Sequence, residues 1–93
     1  MRIVWSEQAH RDLRSILEYI AVDSPAYAAR QIERILETES VIAEFPRAGR
    51  RVPEYDDPKL REVLCDSFRV IYRITTEDHI DILTVVHGRR SLE

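Results

Sequence analysis

Five arginines in the last third of the chain define the chemistry this sequence is equipped for. Arg61 leads the run Arg61-Glu62-Val63-Leu64-Cys65-Asp66. Arg69 and Arg73 interrupt Phe68-Arg69-Val70-Ile71-Tyr72-Arg73-Ile74. Arg89 and Arg90 follow a further apolar run in His87-Gly88-Arg89-Arg90. A guanidinium inside a β-prone segment must meet water, a partner or an anion, because burying it unpaired is costly. Its planar fork matches carboxylate and phosphate oxygens. The chemistry on offer is therefore anion recognition. Arg69 has two readings at this level: a contact for a target, or a cross-strand partner of Glu62 or Asp66. Metal chemistry has no support, since His10, His79 and His87 are too scattered to form a ligand set and Cys65 stands alone. Nothing in the sequence calls for another cofactor.

The elements that must position these side chains follow from periodicity. Arg2-Ile3-Val4-Trp5 is β-prone. Ser6 then caps a helix, with Glu7 in its first turn, and Ala9, Leu13, Ile16, Leu17 and Ile20 form one apolar stripe. Asp23-Ser24-Pro25 closes that helix and opens a second, Ser24 as cap and Pro25 at the first helical position. Ala28, Ile32, Ile35, Leu36 and Ile42 mark its buried side. Glu39 falls on the same register without an obvious partner. The short connection makes an antiparallel helical hairpin.

Phe45-Pro46 ends the second helix, and residues 47–58 read as a long loop rich in proline and acidic side chains. Strands are expected at about 61–66, 68–75 and 80–86 as a meander. The expected fold is α+β, in the order β-α-α-β-β-β, with the hairpin packed on one face of a small, mainly antiparallel sheet. Two helices can cover one face only. Alternation then places Val70, Tyr72 and Ile74 under the helices, with Arg69, Ile71 and Arg73 on the open face. Ile82 and Val86, if they share that open face, supply apolar surface for a partner; the alternative is that they cover one another.

Bulk properties narrow the class. A chain of 93 residues with 44% hydrophobic and 33% charged side chains is one globular domain. No apolar run reaches membrane-spanning length, and the polar start lacks a signal peptide, so a cytoplasmic protein is expected. Residues 1–46 carry five basic and eight acidic side chains, and residues 47–93 carry nine of each. Non-specific nucleic-acid binding through many phosphate contacts is therefore not expected, nor is sequence-specific DNA binding by this chain alone. Cys65 reads as a small core residue.

Taken in order, Val4-Trp5-Ser6, Leu13-x-x-Ile16-x-x-Tyr19-Ile20-Ala21, Phe45-Pro46-x-x-Gly49-Arg50, Val52-Pro53-Glu54, Arg61-Glu62, Phe68 to Arg73 and His87-Gly88-Arg89-Arg90 resemble toxins of the RelE/ParE superfamily, from bacterial type II toxin–antitoxin modules. The resemblance covers nearly the whole chain. It implies one of two activities. RelE-like members cut mRNA on the ribosome without a metal. ParE-like members poison DNA gyrase. A third class binds its antitoxin without being toxic.

For an RNase, the resemblance implies Arg69 and Arg90 at the phosphate and His87 or Glu62 as base. Against this, the strand 61–66 carries two carboxylates where RelE-type enzymes place lysines, and no tyrosine follows Arg90. The ParE-like reading is favoured, with Arg61, Arg69, Arg73, His87, Arg89 and Arg90 facing the target. A cognate antitoxin, ParD-like or RelB-like, is implied as partner, with Tyr19, Tyr27, Ile71, Ile82 and Val86 as its contacts. His87 at a strand end also fits a plain structural role.

Overall fold

The computed structural model describes residues 1–92. Chain order gives β1 (Arg2–Trp5), α1 (Glu7–Ala21), α2 (Pro25–Glu44), β2 (Arg50–Arg51), β3 (Leu60–Cys65), β4 (Phe68–Thr76) and β5 (His79–His87). The strands form one sheet in the order β1-β5-β4-β3-β2. Only β1 and β5 run parallel; every other pair is antiparallel. The α+β arrangement with a helical hairpin on a mainly antiparallel sheet stands as expected. One element is added to it: the loop after α2 contributes the two-residue strand β2.

Local chemistry sets the helix boundaries. Ser6 Oγ accepts from Ala9 N at 3.0 Å and donates to the Leu83 carbonyl at 2.7 Å, so one cap also anchors α1 to β5. Ser24 Oγ accepts from Tyr27 N at 3.2 Å, and Pro25 occupies the first turn of α2. Ala28, Gln31, Ile35, Thr38 and Ile42 are the fully buried face of α2, a three-then-four spacing that keeps one stripe on the sheet. Leu17 and Leu36, read from the sequence as core, are 39% and 44% exposed. Glu39 is exposed and takes the indole N–H of Trp5 at 2.6 Å, which explains a carboxylate at that register.

The main core lies between the hairpin and the sheet. It contains Ala9, Ile35, Ile42, Val70, Tyr72, Ile74, Ile80, Ile82 and Val85, with Cys65 at its end. Val70, Tyr72 and Ile74 thus face the helices, as the alternation predicts. Cys65 is a core residue, and burial pushes its thiol pKa up.

The other face is not open. Ile71 is 2% exposed and packs with Val52 and Leu60, joined by Leu83, Val86 and Leu92. The loop after β2 and the C-terminal segment fold over the sheet and build a second, smaller core. Ile82 is not on this face at all. Opposite β4, Ile71 pairs with Thr84 but Tyr72 pairs with Ile82, so a bulge at Leu83 adds one residue to β5. A bulge reverses the alternation beyond it. Ile82 and Val85 consequently face the helices, and Leu83 and Val86 the small core. Neither Ile71 nor Ile82 is available as surface for a partner.

Gly49 has a steric reason to be glycine. A Cβ there would lie 2.2 Å from the Tyr72 hydroxyl, which donates to the Pro46 carbonyl at 2.6 Å. Gly49→Ala is expected to destabilise the fold by about 1–3 kcal/mol through overpacking. Adding Tyr72→Phe should recover part of that loss, a non-additivity readable by thermal or urea denaturation. In the same assay, Ile35→Ala should cost about 2–5 kcal/mol, whereas Leu17→Ala, already partly in water, should cost less than about 1.5 kcal/mol.

Candidate functional site

The structure gathers several of the residues named above where β5 ends beside the β3–β4 turn. That turn is Asp66-Ser67. Asp66 has φ 54°, a left-handed conformation that aspartate tolerates. Its carboxylate accepts from Arg34 Nε at 2.7 Å and Gln31 Nε2 at 3.0 Å, fixing the turn to α2. Arg34 first, then Gln31, lowers its pKa. Phe68 and His87 are cross-strand partners whose rings meet edge to face, 5.8 Å between centroids.

The chain leaves β5 in a tight turn. Gly88 N donates to the Ser67 carbonyl at 2.7 Å and Arg90 N to the His87 carbonyl at 2.9 Å. His87 Nδ1 accepts from Arg89 N at 3.3 Å. Arg89 and Arg90 point into solvent and form no ion pair with a described residue. They border different grooves. Arg90 lines one of about 610 Å³ with Ile16, Tyr19, Tyr27, Phe68 and Val86. Arg89 lines one of about 460 Å³ with Arg50, Leu64, Phe68 and His87. The Phe68–His87 pair is common to both.

Arg69 lies beneath this surface, not on it. Its residue exposure is 4%, and all five of its N–H groups are used. Nε and Nη2 donate to Glu62 Oε1 at 3.1 and 2.6 Å. Nη1 donates to Glu54 Oε2 at 2.8 Å and to the Arg90 carbonyl at 2.9 Å. Nη2 also donates to Glu54 Oε1 at 2.7 Å. Glu62 has no exposed side-chain surface. Its second oxygen is taken by Arg50, from Nε at 2.9 Å and from Nη2. Two guanidinium groups and two carboxylates thus close a neutral knot under the sheet face. Charge-assisted, bidentate bonds of this kind are the strong ones, and one-sided removal leaves a buried charge. The hydrogen bond from Arg69 holds the Glu54 carboxyl pKa down to about 2, with help from Leu92 N. Glu54 in turn raises the pKa of Arg69.

Two other expected contacts also turn inward. Arg61 donates to the carbonyls of Pro58 at 2.7 Å and Gly49 at 3.2 Å, bracing the loop around β2. Arg73 pairs with Asp57 at 2.6 Å. The Asp57 pKa is lowered chiefly by the Lys59 backbone N–H and then by Arg73. Of the six basic residues expected to face a target, His87, Arg89 and Arg90 form one exposed group. Arg69 is buried, and Arg61 and Arg73 hold loops. Glu62, named as a base, has both oxygens occupied. Tyr19 and Tyr27 are 82% and 58% exposed, and Val86 both lines the groove with them and packs against the small core. Sequence reasoning passed over Arg50 and Glu54, although both belong to the short phrases Gly49-Arg50 and Val52-Pro53-Glu54. Among the described residues no group of acidic, histidine or cysteine side chains has a metal-binding arrangement.

Replacing Arg69 by Met is expected to destabilise the fold by about 3–5 kcal/mol, because Glu62 and Glu54 lose their common partner. The pH dependence carries the same information. The folded pKa of Glu54 lies below its ordinary 4.5, so its contribution is complete above 4.5 and is lost as pH falls toward about 2. Wild-type melting temperature should drop across that window, and Arg69→Met should lose the Glu54 share of the drop.

Comparison with known proteins accords with this geometry. The family model described as "ParE toxin of type II toxin-antitoxin system, parDE" matches residues 3–92. A protein named Toxin RelE2, from Caulobacter vibrioides, is 29% identical over 89 residues, spanning 96% of this chain and 97% of that one. Among solved structures, a chain of the chromosomal ParDE toxin–antitoxin system of P. aeruginosa superposes with a TM-score of 0.75 at 22% identity, covering 94% and 95% of the two chains. A chain of the RelBE2 toxin–antitoxin complex of Mycobacterium tuberculosis gives 0.60 at 21%, covering 92% and 95%. At these identities the structural matches establish the fold, while the family model spans almost the whole sequence. The chain is a member of the ParE toxin family of type II toxin–antitoxin systems, within the RelE/ParE superfamily.

Proposed function

We infer that this toxin acts in the cytoplasm as an inhibitor of DNA gyrase and is neutralised by a cognate antitoxin. The observation that carries this reading is the closed state of Arg69 and Glu62. Metal-free RNA cleavage needs a base, a proton donor and a cation free to meet the phosphorane charge. Arg69 has no N–H left to offer, and both Glu62 oxygens accept from arginines. His87, Arg89 and Arg90 stay exposed beside Phe68, with the half-exposed Arg50 in the Arg89 groove, a cationic surface suited to a protein target with acidic side chains.

The groove beside the ridge supports a second contact. Tyr19 and Tyr27 expose aromatic rings along α1 and the start of α2, with Ile16 and Val86 between them. An amphipathic segment laid into such a groove buries its apolar side. The solved relatives are toxin–antitoxin systems, one ParDE and one RelBE2, which supports an antitoxin as the occupant here.

The alternative activity has two observations in its favour. His87 and Arg90 are exposed and line the same groove, and a relative carries the name RelE2. A single comparison separates the two readings. Purified toxin is expected to inhibit gyrase supercoiling and to trap cleaved DNA, and to leave mRNA intact in a translation extract. Cuts in ribosome-bound mRNA without any effect on gyrase would replace this reading by the endoribonuclease.

A further inference from the structure

We propose that Glu54 and Arg69 are positioning residues: they lock the C-terminal segment so that Arg89 and Arg90 are presented, already ordered, to paired carboxylates on the target. The proposal rests on the gyrase reading for the identity of that target, though not for the clamp itself.

Residues 88–92 belong to no strand or helix, so no regular ladder orders their backbone. It is instead tied at four points, from residues 54–55 and 67–69. The Ser67 carbonyl accepts from Gly88 N at 2.7 Å. Arg69 Nη1 donates to the Arg90 carbonyl at 2.9 Å. Glu54 Oε2 accepts from Leu92 N at 3.1 Å, and the Tyr55 hydroxyl donates to the Leu92 carbonyl at 3.3 Å. Leu92 is also drawn into the small core beside Ile71. All of this order is spent on main chain, while the two adjoining arginine side chains are left in solvent.

A buried ionic knot is a poor way to gain stability alone, since well-packed apolar residues of similar volume often do as well. What the knot does that apolar packing cannot is hold particular carbonyl and amide groups of a segment outside the sheet. Its own charges cancel, Arg50 and Arg69 against Glu54 and Glu62. Arg89 and Arg90 are not part of that balance, and they border two grooves that share Phe68 and His87. Two exposed cations on adjacent residues suit a partner that presents two acidic side chains. Ordering their backbone before binding lowers the entropy lost on association.

The test is a mutant cycle. Glu54→Ala removes the anchor, Arg89→Ala with Arg90→Ala removes the displayed cations, and the combination removes both. If the clamp orders the tail in most molecules and its loss leaves about a tenth competent, Glu54→Ala should raise the half-inhibiting concentration for gyrase about ten-fold. Placed on the double arginine variant, it should add little further loss. Truncation after Ser91 serves as a second variant, because it removes Leu92 while leaving the Glu54–Arg69 pair in place. It should behave like Glu54→Ala. Amide hydrogen exchange provides a readout independent of any target: it should accelerate at Arg90 in both variants, and at Leu92 in Glu54→Ala. The proposal is overturned if these amides exchange equally fast in the wild type, or if Glu54→Ala weakens inhibition by the same factor with and without Arg89 and Arg90. If wild-type toxin leaves gyrase untouched, only the target is wrong. The same cycle then reads growth arrest, and additive losses there overturn the clamp as well.

Discussion

One buried guanidinium organises the functional end of this protein. Arg69 is on β4, in the middle of the sheet, on the face away from the helices. An arginine there demands acceptors for every N–H, because an orphaned buried donor costs more than a made hydrogen bond returns. The acceptors come from β3, from the loop after β2 and from the last residues of the chain. Three segments distant in sequence are therefore committed to one place. No buried side-chain nitrogen or oxygen among the described residues is left without a partner.

The bulge in β5 has a comparable reach on the other face. It turns Ile82 and Val85 toward the helices and frees the carbonyl of Leu83, which Ser6 takes as it caps α1. Asp12, further along α1, accepts from Val85 N at 2.9 Å and from the Thr84 hydroxyl. The irregularity in the sheet is thus where α1 is attached. That attachment sets the groove between α1 and the end of β5, with Tyr19 on its lip. Packing and surface are consequences of the same extra residue.

Much of this was legible in the residues. Caps at Ser6 and Ser24, the proline at 25 and the alternation Val70-Tyr72-Ile74 each have a local cause, and the structure follows them. The resemblance carried by the ordered phrases is matched by the family model. What alternation does not carry is a change of parity. Nothing in Ile80-Asp81-Ile82-Leu83-Thr84-Val85-Val86 announces a bulge, so the residues alone leave the face of Ile82 open, and the bulge turns it to the helices. Nor does a pattern of single strands show that a loop will cover the second face. The residues that cover Ile71, Val52 and Leu92, lie 19 and 21 positions away in sequence, and Glu54, which closes Arg69, lies 15 away, so their return is a tertiary event. The cross-strand pairing of Arg69 with Glu62 was within reach, and it was one of the two readings open at that level. The helical stripe overreached in a different way: Leu17 and Leu36 keep the period yet lie on the hairpin's outer flank.

The absence of a nuclease centre depends most on Arg69 being closed to outside anions. Its guanidinium is observable by nitrogen-resolved NMR at neutral pH. Five internal hydrogen bonds predict separate Nη proton signals with slow solvent exchange, unmoved by an RNA oligonucleotide. A single averaged signal that exchanges rapidly and shifts on adding the oligonucleotide would contradict the closed knot, and with it the case against a nuclease centre.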